Sequence, residues 1–231
     1  MKHHISFDLE LRKNPYPGLY IALEGIDGSG KTTQAQELAK YYESKGYATI
    51  VTAEPTRDGE VGGLVHRILT GEVKIPRKFN QYIFSADRGI HQEKLIIPSL
   101  KDGKVVISDR SFWSTLAYGI LDQESVDGKI ENRDQLLVAY SILSLYHQFI
   151  TPDVSVVLKL DVDTAVERLQ AMSRKKELYE NREMLVEVES IYEWMLNKFS
   201  EDLISVDGRR HIDEVTVDIV RHANKFKKKP Y

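Results

Sequence analysis

The residues most able to do chemistry stand close together near the start of the chain, in Gly25-Ile-Asp-Gly-Ser-Gly-Lys-Thr32. This stretch fits the pattern G-x-x-x-x-G-K-[ST], which is typical of a loop whose backbone N–H groups surround phosphate oxygens (the P-loop, residues 25–32). Lys31 would reach the β- and γ-phosphates, and the Thr32 hydroxyl would ligate Mg²⁺. We therefore predict an ATP site formed by Gly25, Ile26, Asp27, Gly28, Ser29, Gly30, Lys31, Thr32 and Thr33.

The flanking residues predict the elements that such a loop needs. An apolar run at 19–23 indicates a strand, and residues 33–45 have a helical pattern that ends at Gly46. Glycines in the loop permit backbone angles that a side chain would forbid, and the helix adds the positive end of its dipole. The alternative, a glycine-rich turn that contains Gly-Lys-Thr by chance, does not account for strand, turn and helix in this order.

The rest of the chain alternates between strand and helix patterns. Apolar runs that favour buried strands lie at 48–52, 104–109, 153–160 and 203–206, and helical patterns lie at 61–69, 77–100, 111–121, 134–149, 163–172 and 182–199. This alternation predicts a three-layer α/β/α fold with a parallel sheet of about five strands. Ligands bind beyond the carboxyl ends of such strands. That rule places the P-loop, residues 54–57 and residues 109–110 close together.

Composition favours an ordinary globular protein. Of 231 residues, 42% are hydrophobic and 29% are charged, and no stretch reaches the roughly 18 apolar residues of a membrane span. Zero cysteines exclude disulfides and thiolate metal sites, and a net charge of −3 gives no general attraction to nucleic acid. The N-terminus lacks the apolar core of a secretory signal, so we expect a cytoplasmic protein with no membrane or nucleic-acid partner. We expect an extension at 1–17 and one domain at 18–231.

Charged residues outside the P-loop indicate a second anionic ligand. Asp109 closes an apolar run, the usual position of the carboxylate that holds the Mg²⁺ shell, and Arg110 follows it directly. A motor or switch more often has a second acid at that position, whereas an arginine suits an anionic substrate. The alternative is that Arg110 pairs with a neighbouring acid.

Two further groups have both a functional and a structural interpretation. Phe84 and Arg88 are four residues apart, so a ring for stacking and a fork of donors share one helix face. A core phenylalanine beside a surface arginine is the alternative. A polar gap between two helices is bracketed by cations, which indicates either a lid at about 172–182 or a solvated charged face: Arg168, Arg174, Lys175 and Lys176.

These residues resemble the thymidylate kinases, a family of P-loop nucleoside monophosphate kinases. The family motif E-G-x-D-G-x-G-K-[ST]-T-Q matches residues 24–34 throughout. The motifs E-P, F-x-A-D-R, V-I-S-D-R, S-x-x-A-Y and P-D…L-D-V-D follow in the same order, at 54–55, 84–88, 106–110, 114–118 and 152–163. The resemblance spans roughly residues 18–208 and implies a P-loop NTPase fold with a helical lid, and a homodimer.

For the acceptor nucleoside, the resemblance implies roles for five side chains. Asp27 would bind the sugar 3′-hydroxyl, and Phe84 would stack on thymine. Arg88 and Ser114 would face the base edge, and Tyr118 would crowd the 2′ position and favour deoxyribose. The implied reaction is transfer of the ATP γ-phosphoryl group to dTMP, which gives dTDP and ADP.

For the phosphates, the resemblance implies that Arg110 holds the acceptor phosphate. Some relatives have an arginine at the position of Gly28, whereas others have their catalytic arginine in the lid, and with Arg174 there this chain resembles the second type. Thr32 and Asp109 are the implied metal ligands, directly or through water. The implied catalytic cations are Lys31, Arg110, Arg168 and Arg174, and the implied dTMP site is Asp27, Glu54, Arg57, Phe84, Arg88, Arg110, Ser114 and Tyr118.

Two departures from the family pattern concern the acceptor site. The family often has arginine before the E-P pair, where this chain has Ala53, and Arg57 is the candidate substitute. Many bacterial relatives have glutamine after the A-Y pair, where this chain has Gly119. Two other functions are open alternatives: a deoxynucleoside kinase that uses Glu54 as a base, and an ATP-dependent switch or assembly protein.

Overall fold

The sheet of the protein is parallel and has the predicted number of strands. The computed structural model describes residues 8–122, 132–172 and 177–226. Over these residues the strands are β1 (Leu19–Glu24), β2 (Thr49–Ala53), β3 (Val105–Asp109), β4 (Val154–Lys159) and β5 (Leu203–Asp207). Their order is β2-β3-β1-β4-β5, and all neighbours pair in parallel. The prediction of about five parallel strands is confirmed.

Helices cover both faces of this sheet, which confirms the three-layer arrangement. They are α1 (Lys31–Ser44), α2 (Gly59–Leu69), α3 (Asn80–His91), α4 (Ile97–Lys101), α5 (Phe112–Asp122), α6 (Asn132–Tyr146), α7 (Val162–Gln170), α8 (Arg182–Lys198) and α9 (Ile212–Ala223). Side chains alternate along β1. Ile21 therefore packs with α1 and α9, and Tyr20 packs on the opposite side with α4. None of the helices in the described part of the chain combines the length and the apolar content that a bilayer span requires.

The strand register brings the polar ends of three strands to one edge. Leu23 of β1 and Ala53 of β2 both pair with Asp109, the last residue of β3. A polar segment or residue follows each of these strands directly: the P-loop follows β1, Glu54 follows β2 and Arg110 follows β3. The fold therefore forms the predicted cluster at the carboxyl edge of the sheet.

Two helical regions differ from the sequence prediction. The helix predicted at 77–100 is divided into a 3₁₀ turn (Arg77–Phe79), α3, a π-helical turn (Gln92–Ile96) and α4. Pro98 lies in the first turn of α4 and has no N–H to continue the earlier hydrogen-bond pattern, which the π turn accommodates. Helix α9 was not predicted, although Val215, Ile219 and Ala223 on its buried face have helical spacing.

Residues 8–17 pack against the sheet domain. The Asn14 side chain donates to the Gly18 carbonyl oxygen at 2.9 Å and to Asp153 Oδ2 at 2.7 Å. Arg12 forms an isolated parallel bridge with Ile150. These contacts tie the extension to the segment before β4. Residues 1–7 lie outside the described part.

Candidate active site

The P-loop turns tightly between β1 and α1. Gly25, Gly28 and Gly30 have φ angles of 127°, 84° and 98°, which lie in the left-handed region that favours glycine. Lys31 begins α1, and its Nζ donates to the carbonyl oxygens of Gly25 at 3.2 Å and Ile26 at 2.9 Å. The lysine is therefore folded back onto the loop that the sequence predicts to bind phosphate.

Two polar side chains of the P-loop are suited to an anion. Lys31 is buried, and desolvation together with the nearby charge of Arg110 lowers its pKa to about 8. The buried Ser29 hydroxyl has no hydrogen-bond partner within the described residues. A phosphate would favour the charged form of Lys31 and would accept a hydrogen bond from Ser29. The loop thus fits the phosphates of ATP.

Helix α7 packs directly against the P-loop. A Cβ atom at Gly28 would lie 2.7 Å from the Ala165 carbonyl oxygen, so the loop has no room for a side chain there. Arg168, on the next turn of α7, donates to the Gly28 carbonyl oxygen at 3.3 Å and lines a cavity together with the P-loop. The structure therefore brings Arg168 to the predicted phosphate site, whereas Arg174 lies outside the described residues.

Thr32 and Asp109 form an oxygen pair beside the P-loop. The Thr32 hydroxyl donates to Asp109 Oδ2 at 2.5 Å, which joins the start of α1 to the end of β3. The described residues contain no cluster of three or more His, Cys, Asp or Glu side chains that could hold a metal ion alone. Mg²⁺ commonly uses one or two protein oxygens and completes its shell with phosphates and water, so Thr32 and Asp109 fit the predicted ion.

Arg110 lies between the other groups of the site, and its backbone conformation is unusual. Its φ of 77° is the single left-handed value for a non-glycine residue in the described chain. Its main-chain N–H donates to the Leu23 carbonyl oxygen at 2.8 Å, and Nη1 donates to the Gly25 carbonyl oxygen at 3.1 Å and to Ser114 Oγ at 2.9 Å. Nη2 donates to Asp27 Oδ1 at 2.6 Å. The guanidinium is thus fixed beside the P-loop.

Asp27 is the acid that faces Arg110, so the predicted alternative of a neighbouring acidic partner also holds. Burial raises the pKa of Asp27, but the charges of Arg110 and Lys31 outweigh burial and hold the pKa at about 2. Tyr118 donates from its hydroxyl to Asp27 Oδ2 at 3.2 Å, and its ring lies 5.1 Å from the Arg110 guanidinium. Asp27, Arg110 and Tyr118 therefore form one connected group.

A second buried cluster lies at the end of β2. Glu54 accepts a hydrogen bond from Arg88 Nε at 2.5 Å, and His91 Nδ1 lies 3.0 Å from the other carboxylate oxygen. Arg88 Nη1 also donates to Thr115 Oγ1 at 2.6 Å. Burial raises the pKa of Glu54, but Arg88 and His91 outweigh burial and leave this pKa below its usual value. A carboxylate held in this way is a poor proton acceptor, which disfavours Glu54 as a catalytic base.

Ser114 lies beneath Arg110. Its hydroxyl donates to the buried carboxylate of Glu24 at 2.5 Å, and the hydroxyl of Tyr192 lies 2.9 Å away. Glu24 also accepts from the backbone N–H of Ser111 at 2.8 Å. Burial raises the pKa of Glu24. Ser114 thus accepts a hydrogen bond from Arg110 and also borders the side pocket, where the resemblance implies that the thymine base binds.

Two adjoining cavities occupy the carboxyl edge of the sheet. The larger (the main cleft) has a volume of about 720 Å³, and residues 27–32 of the P-loop, Asp109 and Arg168 line it. The smaller (the side pocket) has a volume of about 80 Å³, and its wall includes Phe84, Arg88, Ser114, Thr115, Tyr118 and Tyr179. Asp27, Glu54 and Arg110 border both. Gly25 and Ile26, which the sequence placed in the ATP site, border neither cavity.

Arg57 lies at the rim of the main cleft. Its Nη2 donates to Glu177 Oε1 at 3.1 Å, and 67% of the Arg57 side chain is exposed. The contact joins the loop after β2 to the segment that follows residues 173–176, so Arg57 is near the expected phosphate positions but is held at the surface.

Comparison with known proteins agrees with this geometry. A family model described as thymidylate kinase matches residues 23–219. The chain belongs to the thymidylate kinase family. It is 36% identical over 211 residues to a probable thymidylate kinase of Thermococcus gammatolerans, an alignment that covers 88% of this chain and 94% of that protein. It is 34% identical over 215 residues to the thymidylate kinase of Desulfotalea psychrophila, with 92% and 97% covered.

A solved structure supports the same family assignment. The thymidylate kinase of Candida albicans superposes with a TM-score of 0.75 at 26% identity, covering 91% of this chain and 94% of that chain. The resemblance predicted from the motifs is confirmed, and so is the P-loop NTPase fold.

Sequence reasoning missed several residues that shape this thymidylate kinase site. Asp87 on α3 accepts from the Thr56 N–H at 2.7 Å and from the Thr56 hydroxyl at 2.5 Å, which fixes the loop after β2. Nothing in the sequence pairs these two residues. The segment after β5 was also missed, and four of its residues line the main cleft: Gly208, Arg210, Ile212 and Val215. The helical spacing within α9 was the available signal for that segment.

The buried Glu54–Arg88 pair leads to a stability prediction. Glu54→Gln leaves the Arg88 guanidinium buried without a charged partner, so we expect the free energy of unfolding at pH 7 to fall by about 3–5 kcal/mol. The pKa of Glu54 is lower in the folded protein than its unfolded value of about 4.3. The stability that ionised Glu54 contributes is therefore fully present above the unfolded pKa and is lost as the pH falls through the folded pKa. The difference between wild type and variant should therefore narrow below about pH 4.

Urea unfolding of both proteins at several pH values measures this difference. Arg57→Ala is the matched control, because it breaks an exposed ion pair and should cost less than about 1 kcal/mol. Equal effects of Glu54→Gln and Arg57→Ala would show that burial of the Glu54–Arg88 pair does not determine its contribution.

Proposed function

We propose that this protein is a cytoplasmic, Mg²⁺-dependent thymidylate kinase that transfers the γ-phosphoryl group of ATP to dTMP. The observation that carries the proposal is the position of Arg110, which borders both the main cleft and the side pocket and contacts the P-loop through Gly25 and Asp27. A cation in that place can meet the acceptor phosphate where it approaches ATP. Membership of the thymidylate kinase family supports the same reaction.

The acceptor in this reaction needs no catalytic base. A phosphate monoester has a second pKa near about 6, so at neutral pH its oxygens are mostly deprotonated and one of them can attack the γ-phosphorus. The obstacle is repulsion between two polyanions. Lys31 and Arg110, together with Arg168 and the proposed lid residue Arg174, would reduce that repulsion and stabilise charge on the transferring group.

The proposed nucleoside contacts follow the family resemblance. The dTMP base would lie in the side pocket against Phe84 with Arg88 at its edge, and the sugar would lie near Asp27 and Tyr118. Arg88 is already held by Glu54 and Thr115, so its position would be fixed before the base enters.

The proposed metal ligands are Thr32 and Asp109, directly or through water. When bound, Mg²⁺ would neutralise charge on the β- and γ-phosphates. The Thr32–Asp109 hydrogen bond holds both oxygens on the same side of the P-loop, so they would be oriented before nucleotide binding.

We also propose that residues 18–231 form one kinase domain whose lid is residues 172–182. Arg168, on the last turn of α7, lies at the P-loop and would mark the fixed end of this lid. Tyr179, at the other end, packs edge-on against Tyr118 with ring centroids 4.8 Å apart. Closure over both nucleotides would exclude water and suppress ATP hydrolysis.

An ADP-release assay with six acceptors tests the reaction. We expect dTMP to be the best substrate among dTMP, dUMP, dCMP, dAMP and dGMP, and we expect thymidine to give no turnover. Turnover of thymidine but not of dTMP would instead support a deoxynucleoside kinase. ATP turnover without any acceptor would support a switch or assembly protein.

Removal of either fixed cation should slow catalysis. Lys31→Ala and Arg110→Ala should each lower kcat/KM by about 10²-fold or more, the scale of losing one preorganised donor. Arg67→Ala is a suitable control, because Arg67 is an exposed arginine on α2 that borders neither cavity. Steady-state kinetics with dTMP varied at saturating ATP measures the effect, and unchanged kinetics for Arg110→Ala would contradict its assigned role.

We further propose a homodimer formed through α3 and α6. These helices pack on each other and both present exposed apolar side chains, among them Tyr82, Leu137 and Tyr140. Light scattering should therefore give twice the chain mass for the wild type and a monomer for Tyr82→Glu. Val217→Glu introduces the same charge at an equally exposed position on α9 and should leave the dimer intact. A monomeric wild type would contradict the proposal.

A further inference from the structure

The side chain of Gln81 is buried without any hydrogen bond. The residue lies on α3 and is 4% exposed, and neither its Nε2 nor its Oε1 has a partner among the described residues. An unsatisfied buried amide is costly, because the folded protein has lost the hydrogen bonds that water made to it. Both halves of this amide are unsatisfied, so the site has one donor group and one acceptor group to offer.

Gln81 lies on the same face of α3 as two residues of the side pocket. Gln81, Phe84 and Arg88 are spaced by three and four residues, which puts them on one face of α3. That face packs against α5, where Arg88 Nη1 donates to Thr115 Oγ1 at 2.6 Å. Gly119 is one turn beyond Thr115 on α5. The side chain of Gln81 therefore lies beside Gly119, which follows the pocket residue Tyr118 on α5.

Gly119 provides the room that Gln81 occupies. A Cβ atom at position 119 would lie 3.2 Å from Cγ and Cδ of Gln81 and 2.4 Å from Cδ1 of Ile142. A side chain at position 119 would thus clash with Ile142 and crowd the glutamine of α3. The glycine that departs from the family pattern is what permits a buried amide at this place.

The side pocket is too small to admit a nucleoside unless side chains move. Its volume of about 80 Å³ is well below the roughly 300 Å³ at the lower end of ligand sites, so side chains must move for a nucleoside to enter. Arg88 and Tyr179 in the wall are held by the carboxylates of Glu54 and Asp122. The Gln81 amide has no hydrogen bond within the described residues to lose if it turns toward a ligand.

We propose that Gln81 is a specificity-determining residue whose amide binds the polar edge of the acceptor base. The imide edge of thymine presents an N–H between two carbonyl groups, and an amide can accept from the first and donate to one of the others. The assignment rests on the proposed function, because it requires that a pyrimidine monophosphate binds in the side pocket. Binding would satisfy in the complex the two groups that are unsatisfied in the free protein.

The test compares two buried glutamines, one with and one without hydrogen-bond partners for its amide. Gln92 is 3% exposed and both of its amide groups are paired with the Ile150 backbone at 2.8 Å, whereas those of Gln81 are unpaired. In Gln81→Leu we expect an unchanged or higher Tm, a KM for dTMP raised about 10-fold, and an unchanged KM for ATP. In Gln92→Leu we expect a lower Tm and an unchanged KM for dTMP.

A second variant keeps the shape of the side chain and changes its hydrogen-bonding groups. Gln81→Glu cannot donate when ionised, so the ratio of kcat/KM for dTMP to that for dCMP should fall, because cytosine presents an amino group where thymine presents a carbonyl. An unchanged KM for dTMP in Gln81→Leu, or an unchanged ratio in Gln81→Glu, would overturn the assignment while leaving the kinase reaction intact. A wild-type protein that does not phosphorylate dTMP would overturn both.

Discussion

The ion pair between Arg110 and Asp27 is the contact on which the geometry of the site depends. A non-glycine residue at φ 77° carries a cost on the order of 1–3 kcal/mol, so the surrounding contacts must hold it there. The register of β3 beside β1 sets the backbone bond from Arg110 to Leu23, and the side chain then reaches the P-loop. Because Asp27 belongs to that loop, the ion pair fixes the P-loop relative to the side pocket.

Burial opposes every charge in this cleft, and the directions of the pKa shifts show where pairing outweighs it. Asp27 and Glu54 have lowered pKa values because each faces an arginine. Burial and, after it, the nearby charge of Arg110 lower the pKa of Lys31, whose hydrogen-bond partners are neutral carbonyl oxygens. Lys31 is therefore the least compensated of these groups, and a phosphate is the kind of ligand that would compensate it. The folded protein therefore already holds these charged groups in place before a ligand binds.

The sequence predicted those parts of the site that are contiguous in the chain. The P-loop, the five strands and the Asp109–Arg110 step each have a local pattern, and the family motifs added the side-pocket residues. Contacts between distant residues had no such signal. The pairing of Arg110 with Asp27 joins residues 83 positions apart, and the unsatisfied amide of Gln81 exists only because α3 packs on α5. Helical periodicity likewise cannot detect the π turn before α4.

Two ion pairs that border the site differ in burial. The Glu54–Arg88 pair is almost fully buried and belongs to a cluster with His91, so breaking it would leave charges without solvent. The Arg57–Glu177 pair joins the loop after β2 to the proposed lid, and because its arginine is exposed it contributes less than about 1 kcal/mol. The proposed lid has contacts of both kinds, because Tyr179 is buried and donates to Asp122 at 2.6 Å, whereas the Arg57–Glu177 pair can break at little cost. Of these two ion pairs at the site, the buried Glu54–Arg88 pair is therefore the costly one to break and the Arg57–Glu177 pair the cheap one.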